Sequence, residues 1–443
     1  MNDRLSNDWS DSSLERSAIR KMILRLVPLL LLTYFANCID RSNISIAALT
    51  MDTDLKMTPA EFGFGAGIFF AGYLIFEVPI ALITQRVGGR RAIGVMMLLW
   101  GVMSAATGYV TNQPQFYAVR LLLGIAEAGF FPALLMYLSC WFPAAYRARI
   151  IGMTMLALPL SSVIGAPLST YFLVHYHGLL GLEGWRWLFI MEGIPASILG
   201  VLCIVYLSDH PRQAKWLSIS ESGSIERVLA AEREHAESSG HYSVGQALRS
   251  TTVILLALIM FLLVAALYGS VFWIPQLLKA MHFSSMEVGF LISIPYAVAS
   301  LAMYYWAKHS DEKREKTWHL IVASAIGAIG FVLTGMFISS PLMAVIGLSL
   351  ACAGIYAGLP ILWTLPLSFL TGPAVAGALA LITTVANSSG IVVPPLIGWS
   401  RQATGGFSAA MYGLAAIMLV AIFLILIVRG RRTEETRKAN AMA

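Results

Sequence analysis

The sequence contains a series of apolar stretches, each long enough to cross a lipid bilayer as a single helix. A spanning helix needs roughly 20 mostly apolar residues, and every backbone polar group within lipid has to be paired inside the helix. Twelve stretches meet this requirement, at 22–48, 62–85, 92–110, 115–140, 148–174, 186–207, 251–278, 285–307, 318–338, 341–365, 373–400 and 407–429. The sequence therefore predicts an all-α integral membrane protein with twelve transmembrane helices.

Composition supports this interpretation. Hydrophobic residues make up 58% of the chain and charged residues only 12%, whereas soluble domains carry about 25% charged residues. Too few polar side chains remain to cover a surface that faces water. The first 21 residues are polar, and the first apolar stretch is far longer than the core of a signal peptide, so we interpret it as an uncleaved first helix.

The longest polar stretch, 208–250, divides the twelve spans into two groups of six. Each group has a short basic loop between its second and third spans, TQRVGGRRAIG at 84–94 and KHSDEKREKTWH at 308–319. Weak repeats of this kind are typical of transporters built from two six-helix halves. The predicted organisation comprises, in chain order, an N-terminal tail 1–21, a first half 22–207, a linker 208–250, a second half 251–429 and a C-terminal tail 430–443.

Lysine and arginine predict the orientation, because these residues concentrate in cytoplasmic loops. With the N-terminus inside, 24 of the 30 Lys and Arg residues fall in inside segments. Outside segments contain four, Lys56, Arg186, Lys279 and Arg401. This asymmetry favours twelve spans with both termini in the cytoplasm.

The first and fourth predicted spans each carry an acid and an arginine, although a charge costs about 2.5–3.5 kcal/mol at mid-bilayer. Asp40 and Arg41 belong to the first span, and Arg120 and Glu127 to the fourth. The latter two are seven residues apart, so they share one helical face, with Cα atoms about 10.5 Å apart along the axis. They are too distant to pair locally, and Asp40 and Arg41 are the expected partners across the helices.

Such a cluster has chemistry that suits anion transport. Arginine offers a planar fork that matches a carboxylate, and a buried acid far from water favours its protonated form unless a nearby cation opposes it. A substrate carboxylate that neutralises the arginine would therefore let the acid take a proton, which couples the two movements. The competing interpretation is that the four residues form ion pairs that only hold the helices together.

Other residues give weaker signals. The four cysteines are dispersed in apolar stretches and predict no metal site or disulfide framework, and His175 and His177 lack a third ligand. Glu77 and Glu192 suit packing or gating roles. No constellation for catalysis and no cofactor site is evident, so an enzyme is not expected. Polar and aromatic residues within spans are candidates for the wall of a cavity: Tyr34, Tyr73, Tyr268, Trp273, Gln276, Tyr296, Trp363 and Asn387.

Several longer motifs run through the whole chain. They are IDRSNISIA (39–47), GYLIFEVP (72–79), GGRRAIG (88–94), RLLLGIAEAGFFPALLMYLSCWFP (120–143), YRARIIG (146–152), GWRWLFIMEGIPA (184–196), LSDHPRQAKWLSISE (207–221) and SDEKREKTWH (310–319). In these motifs the chain resembles the major facilitator superfamily, and within it the anion:cation symporters that include bacterial tartrate, phthalate, hydroxyphenylacetate and sugar-acid permeases. The resemblance covers almost the whole chain and implies the major facilitator fold.

The resemblance also implies roles for individual residues. Asp40 and Glu127 correspond to acids linked to protons, and the substrate-binding positions correspond to Arg41, Tyr73, Arg120, Trp363 and Asn387. Gating residues are expected in the two basic loops, at Arg86, Arg90, Arg91, Asp311 and Arg314. Two positions depart from the pattern: Gln85 replaces the usual acid of the first basic loop, and Leu158 aligns with a glutamine that reads substrate hydroxyls, which favours a less hydroxylated or aromatic acid.

The function expected from these features is proton-coupled uptake of a small organic carboxylate by a transporter that works as a monomer without cofactors. The partners are the organic anion, protons and the lipid bilayer, with no role for nucleic acid. Two alternatives stay open. One is an exporter or exchanger of organic anions or drugs, and the other is a membrane sensor that binds an anion without transporting it.

Overall fold

The computed structural model describes the backbone of residues 2–238, 250–366 and 373–442, and the side chains of 14–147, 149–232, 234, 250–366 and 377–431. The part of the predicted linker at 239–249, with Arg249, lies outside the described residues. Within these ranges the chain is almost entirely α-helical and contains no strand. The helices are α1 (Asn2–Asp54), α2 (Pro59–Val87), α3 (Gly89–Thr107), α4 (Gln113–Glu127), α5 (Phe130–Trp141), α6 (Ala144–His175), α7 (Gly184–Tyr206), α8 (Ile219–Ser238), α9 (Thr251–Ala280), α10 (Ser285–Lys313), α11 (Thr317–Met336), α12 (Pro341–Thr364), α13 (Pro373–Thr404) and α14 (Ser408–Met442).

The helices confirm the predicted fold class of twelve spans in two groups of six. Eleven spans in the described part of the chain are long and apolar enough to cross a membrane, with α4 and α5 together forming one of them. The twelfth is α3, which occupies the predicted third span but is only 19 residues long and begins with Arg90 and Arg91 close to its start. Helix α8 lies between the two groups and is the linker helix.

The fourth span is interrupted, which the sequence interpretation of one continuous helix at 115–140 did not anticipate. Helix α4 ends at Glu127, Ala128 is extended with ψ 128°, and Gly129 has φ +83° before α5 begins. A side chain at Gly129 would be strained by this φ and would also meet Ile80, whose Cγ2 lies 2.8 Å from the site of a Cβ atom. Glycine accommodates both conditions, so the break falls directly after the buried Glu127.

Helix α8 and the chain around it pack on the first half at one end of the bundle, which we call the linker end. Lys21 of α1 pairs with Glu221 of α8 at 2.7 Å, and Arg147 pairs with Glu232 at 3.2 Å. The ring of Trp216 stacks on that of Trp141 with centroids 5.6 Å apart. These contacts tie the linker to the first half.

The two halves meet along α2 with α13 and along α6 with α10. The close contacts lie at the end opposite the linker: a Cβ atom on Gly63 would stand 2.5 Å from the carbonyl oxygen of Pro394, and one on Gly398 would stand 2.2 Å from that of Pro59. Ser293 donates a hydrogen bond to the carbonyl oxygen of Val163 at 2.8 Å. The opposite end is therefore closed, whereas Gly152, nearer the linker end of α6, has open space beside it.

Candidate functional site

The charged residues of the first and fourth spans come together inside the first half. Asp40 and Arg41 lie three and four residues after Asn37 on α1, so each is a neighbour of Asn37 on the surface of that helix. Glu127, the last residue of α4, lies opposite them. The side chains of Asp40, Arg120 and Glu127 are almost completely buried, with exposed fractions of 2%, 1% and 0%.

Arg41 and Glu127 form the central ion pair. The Nε atom of Arg41 donates to Oε2 of Glu127 at 2.8 Å, and Nδ2 of Asn37 donates to the same oxygen at 2.8 Å. The Arg41 guanidinium also lies over the ring of Tyr73, with its Cζ atom 4.8 Å from the centroid, a distance at which a cation and an aromatic face attract each other. The side chain of Arg41 is 21% exposed, and its Nη2 atom has no protein partner.

Asp40 is held on the other side of α1. Ser104 of α3 donates to Oδ1 of Asp40 at 2.5 Å, and Asn43 donates to the same atom at 3.2 Å. The other oxygen, Oδ2, is buried without a hydrogen-bond partner, as is Oε1 of Glu127. Each of the two acids therefore has one buried oxygen to which no described group donates a hydrogen bond.

Arg120 occupies a different position from Arg41. Its three side-chain nitrogens are buried without hydrogen-bond partners, and its Cζ atom lies 4.9 Å from the centroid of Phe69. It interacts with Asp40 and Glu127 through its charge, but it does not line the cavity described next. Arg41 is therefore the arginine of this cluster that lies on the cavity wall, and Arg120 is a buried cation away from it.

A cavity of about 150 Å³ lies between the two halves beside Arg41. Four of the predicted substrate-binding residues line it: Arg41, Tyr73, Trp363 and Asn387. Asn387 accepts a hydrogen bond from the hydroxyl of Tyr268 at 3.2 Å. The wall thus combines one accessible cation from the first half with aromatic and amide groups from the second half.

Other expected cavity residues are divided by the structure. Tyr34 and Tyr268 line the cavity. Leu158, which aligns with the glutamine of the family pattern, also lines it. Trp273 and Gln276 do not line it, because they lie near the closed end, where Trp273 contacts Phe62 edge to face at 5.4 Å. An apolar helix can present any face inward, so composition alone could not separate these two groups.

Two polar residues of the cluster were missed by sequence reasoning. Asn37 lies one turn before Arg41, and this i, i+4 spacing was a usable signal. Ser104 is a small hydroxyl within an otherwise apolar helix. Serines within membrane helices commonly bond to their own backbone, so nothing in its local sequence marked it as the partner of Asp40.

The basic loop of the first half is contacted by an acidic residue from the start of the linker. Arg90 forms an ion pair with Asp209 at 3.5 Å, and its backbone N–H donates to Oδ1 of Asp209 at 3.1 Å. The side chains of Arg86 and Arg91 are exposed. Asp209, at the start of the linker, therefore provides a carboxylate near this loop, where Gln85 replaces the usual acid.

The basic loop of the second half contains a chain of hydrogen bonds. Glu315 bonds to Nδ1 of His319 at 2.8 Å, and Nε2 of His319 bonds to Nδ1 of His309 at 2.8 Å. The predicted gating residues of this loop, Asp311 and Arg314, are exposed, and Arg314 ends α10 with φ +51°. In the described part of the chain, no group of three or more His, Cys, Asp or Glu side chains could hold a metal ion.

Comparison with known proteins places the chain in a family. A family model described as Major Facilitator Superfamily matches residues 30–394. The chain belongs to the major facilitator superfamily. It is 43% identical over 418 residues to the "Putative tartrate transporter" of Agrobacterium vitis, a match that covers 94% of this chain and 96% of that relative.

A second relative is the "Putative metabolite transport protein NicT" of Pseudomonas putida, 40% identical over 92% of this chain and 93% of its own. Among solved structures, the xylose transporter XylE from E. coli, in a partially occluded inward open conformation, superposes with a TM-score of 0.73 at 15% identity, covering 91% of this chain and 98% of that one. At this identity the similarity shows the fold alone. The protein is thus a multi-pass membrane transporter and not an enzyme.

Proposed function

We propose that this transporter belongs to the anion:cation symporters and takes up a small organic carboxylate together with protons, working as a monomer. The observation that carries the proposal is the position of Arg41, whose guanidinium holds Glu127 at 2.8 Å and also faces the cavity. A substrate carboxylate entering the cavity competes with Glu127 for the same cation. Binding of the anion and protonation of the acid are coupled through this competition.

The coupling follows from elementary electrostatics. Asp40, Glu127, Arg41 and Arg120 together carry no net charge when all four are ionised. A bound carboxylate adds one negative charge inside the bundle, where an unbalanced charge is expensive. Once Arg41 turns to the substrate, Glu127 loses its cation and favours the protonated form, so the loaded site returns to neutrality by taking one proton.

The remaining predicted substrate-binding residues complete the site from both halves. Tyr73 supports the Arg41 guanidinium through its aromatic face, while Trp363 and Asn387 contact the substrate from the second half. Arg120 contributes its positive charge from behind the two acids. A substrate held by both halves draws them together, which is the requirement for alternating access.

We propose that the protein lies in the inner membrane of the cell. The excess of basic residues supports an orientation with the linker end and both termini in the cytoplasm. In that orientation the closed end faces outward. The first half (22–207) and the second half (251–429) then move against each other, with the linker 208–250 attached to the first. Arg86, Arg90, Arg91, Asp311 and Arg314 act at the cytoplasmic gate, where Arg90 has Asp209 as its partner.

The test uses purified protein in liposomes with an imposed inward proton gradient. Tartrate, gluconate, benzoate and phthalate are offered separately, and uptake is followed together with internal pH. We expect one class of acid to enter together with protons. Asp40→Asn and Glu127→Gln should lose uphill accumulation while retaining exchange of substrate across the membrane, and Arg41→Ala should lose binding.

The matched control is Glu312→Gln, which removes an exposed acid at the linker end of α10 and should behave as wild type. Normal accumulation by all three site variants would refute the mechanism. Protons leaving as the anion enters would favour an exchanger or exporter. Binding without any movement of the anion would favour a sensor.

A further inference from the structure

A third acid lies close to the Asp40 and Glu127 pair but outside the cavity. Glu192 is on α7, eight residues from the start of that helix, which places it about 12 Å from the end opposite the linker at 1.5 Å per residue. Ser169 of α6 donates to its Oε1 atom at 2.5 Å. The other oxygen, Oε2, is buried without a hydrogen-bond partner.

Asn43 connects Glu192 to Asp40. Its side-chain amide interacts with the carboxyl group of Glu192 and donates to Oδ1 of Asp40 at 3.2 Å. Three buried acceptor atoms in this short chain have no donor: Oδ2 of Asp40, Oδ1 of Asn43 and Oε2 of Glu192. Buried acceptors are nearly always paired, and a carboxyl hydroxyl is the kind of donor that this chain of side chains lacks.

The charges around Glu192 also favour a bound proton. Within the described residues, no ion pair joins Glu192 to a lysine or arginine side chain, and the charged group that acts on it is Asp40, another acid. Ser104 from α3 and Ser169 from α6 are neutral. His175 at the end of α6 stacks on Tyr171, and Arg186 on α7 bonds to Asp54. Glu192 thus has no cation partner of its own among the described residues, so its carboxylate would be an uncompensated buried charge.

We propose that Glu192 is a proton-carrying residue that connects Asp40 to the end of the bundle opposite the linker. In the proposed step, a proton leaves the carboxyl oxygen of Glu192 and binds a carboxylate oxygen of Asp40, so that Glu192 becomes a carboxylate. A hydronium ion in the water at the opposite end then gives its proton to the carboxylate of Glu192 and becomes water. Asn43 keeps the two acids adjacent, and this role rests on the proton-coupled transport proposed above.

Position supports this direction of transfer. Asp40 lies about 21 Å from the end of α1 at 1.5 Å per residue, so Glu192 stands between it and that end. The cavity reaches Arg41 but is not lined by Glu192, which excludes direct contact with a substrate held there. A purely structural role would be fulfilled equally by glutamine, because a glutamine side chain can accept from Ser169 and bond to Asn43.

The test compares Glu192→Gln with wild type in liposomes, using the acid that gives the largest uptake among tartrate, gluconate, benzoate and phthalate. We expect Glu192→Gln to lose accumulation driven by the proton gradient while substrate binding and counterflow stay at the wild-type level. Glu192→Asp should retain part of the accumulation. Glu183→Gln, an exposed acid just before α7, is the matched control and should transport normally.

Wild-type accumulation by Glu192→Gln would overturn the assignment, and so would equal loss of binding, counterflow and accumulation in a variant that elutes as a single species. If Glu192→Gln is not recovered folded, Asn43→Ala takes its place, because it removes the side chain between the two acids. We expect Asn43→Ala to lose accumulation in the same way. Normal accumulation by Asn43→Ala would count against the relay. Asp40→Asn is measured in parallel. Accumulation by Asp40→Asn would refute the transport mechanism itself. Loss of accumulation by Asp40→Asn together with normal accumulation by Glu192→Gln would refute only the relay.

Discussion

The competition between Glu127 and substrate for Arg41 makes a prediction that runs against the usual effect of removing a binding-site charge. Glu127→Gln should bind the substrate carboxylate more tightly at neutral pH, because the substrate no longer has to displace an ionised partner from the guanidinium. The interaction lost is a charge-assisted hydrogen bond at 2.8 Å, a class of contact that contributes about 1.5–3 kcal/mol. Glutamine retains part of it, so we expect a gain in affinity of about tenfold, equivalent to about 1.4 kcal/mol.

The assay is isothermal titration calorimetry in detergent between pH 5.5 and pH 8, with the acid identified by the uptake panel. Wild-type affinity should weaken as pH rises, because the proposed binding of the anion takes up a proton, and the affinity of Glu127→Gln should depend much less on pH. Glu312→Gln serves as the control and should retain the wild-type slope. Weaker binding by Glu127→Gln, or an unchanged slope, would show that Arg41 is not shared between the acid and the substrate.

Three further predictions concern different parts of the molecule. Arg41→Lys keeps the charge but loses the planar fork, so substrate affinity measured by the same titration should fall about tenfold or more. Gly124→Ala places a Cβ atom 2.0 Å from the backbone oxygen of Phe69 and should destabilise the bundle by about 1–3 kcal/mol. The measurement is the midpoint of thermal unfolding, which should fall in Gly124→Ala. The control Gly152→Ala places its Cβ atom in open space and should keep the wild-type midpoint. Burial opposes ionisation of Glu221, yet bonds from Lys21, the Ser218 backbone and Ser17 lower its pKa to about 2. The stabilisation should therefore be complete well above pH 4.5 and lost as pH falls toward 2. A double-mutant cycle with Lys21→Met and Glu221→Gln should give a coupling of about 0.2–1 kcal/mol at pH 7, because the Lys21 side chain is 46% exposed and solvent screens the pair, and this coupling should vanish in acid.

Much of the fold followed from apolar length alone. A bilayer requires each span to be long, helical and apolar. The number of spans could therefore be predicted from the apolar stretches, even where the predicted ends of a span differ from the observed ends of its helix. The break after Glu127 was not predictable in the same way, since Ala128 and Gly129 also occur in continuous membrane helices. The break depends on how closely Ile80 of α2 approaches Gly129, which is a tertiary contact.

The site was predictable where a charge had no other explanation. Arg41 and Glu127 are too costly within lipid to be unpaired, and each of the two spans that carry them offers the other a partner of opposite charge. The partner of Arg90 was not predictable, because Asp209 lies 119 residues away in a polar segment where an acid costs nothing. Reasoning from cost locates buried charges well, and it gives no information on which exposed charges meet.

The two arginines solve different parts of one electrostatic problem. A site with Asp40, Glu127 and Arg41 alone would carry a net negative charge and would repel an anionic substrate. Arg120 supplies the missing positive charge from a position that the substrate does not reach, since it is 1% exposed and absent from the cavity wall. Arg41 is then left as the one cation that can exchange an internal carboxylate for an external one. With a monocarboxylate bound and one acid protonated, the sum of the charges is again zero, so the same neutral cluster can be carried through both the loaded and the empty transitions of the bundle.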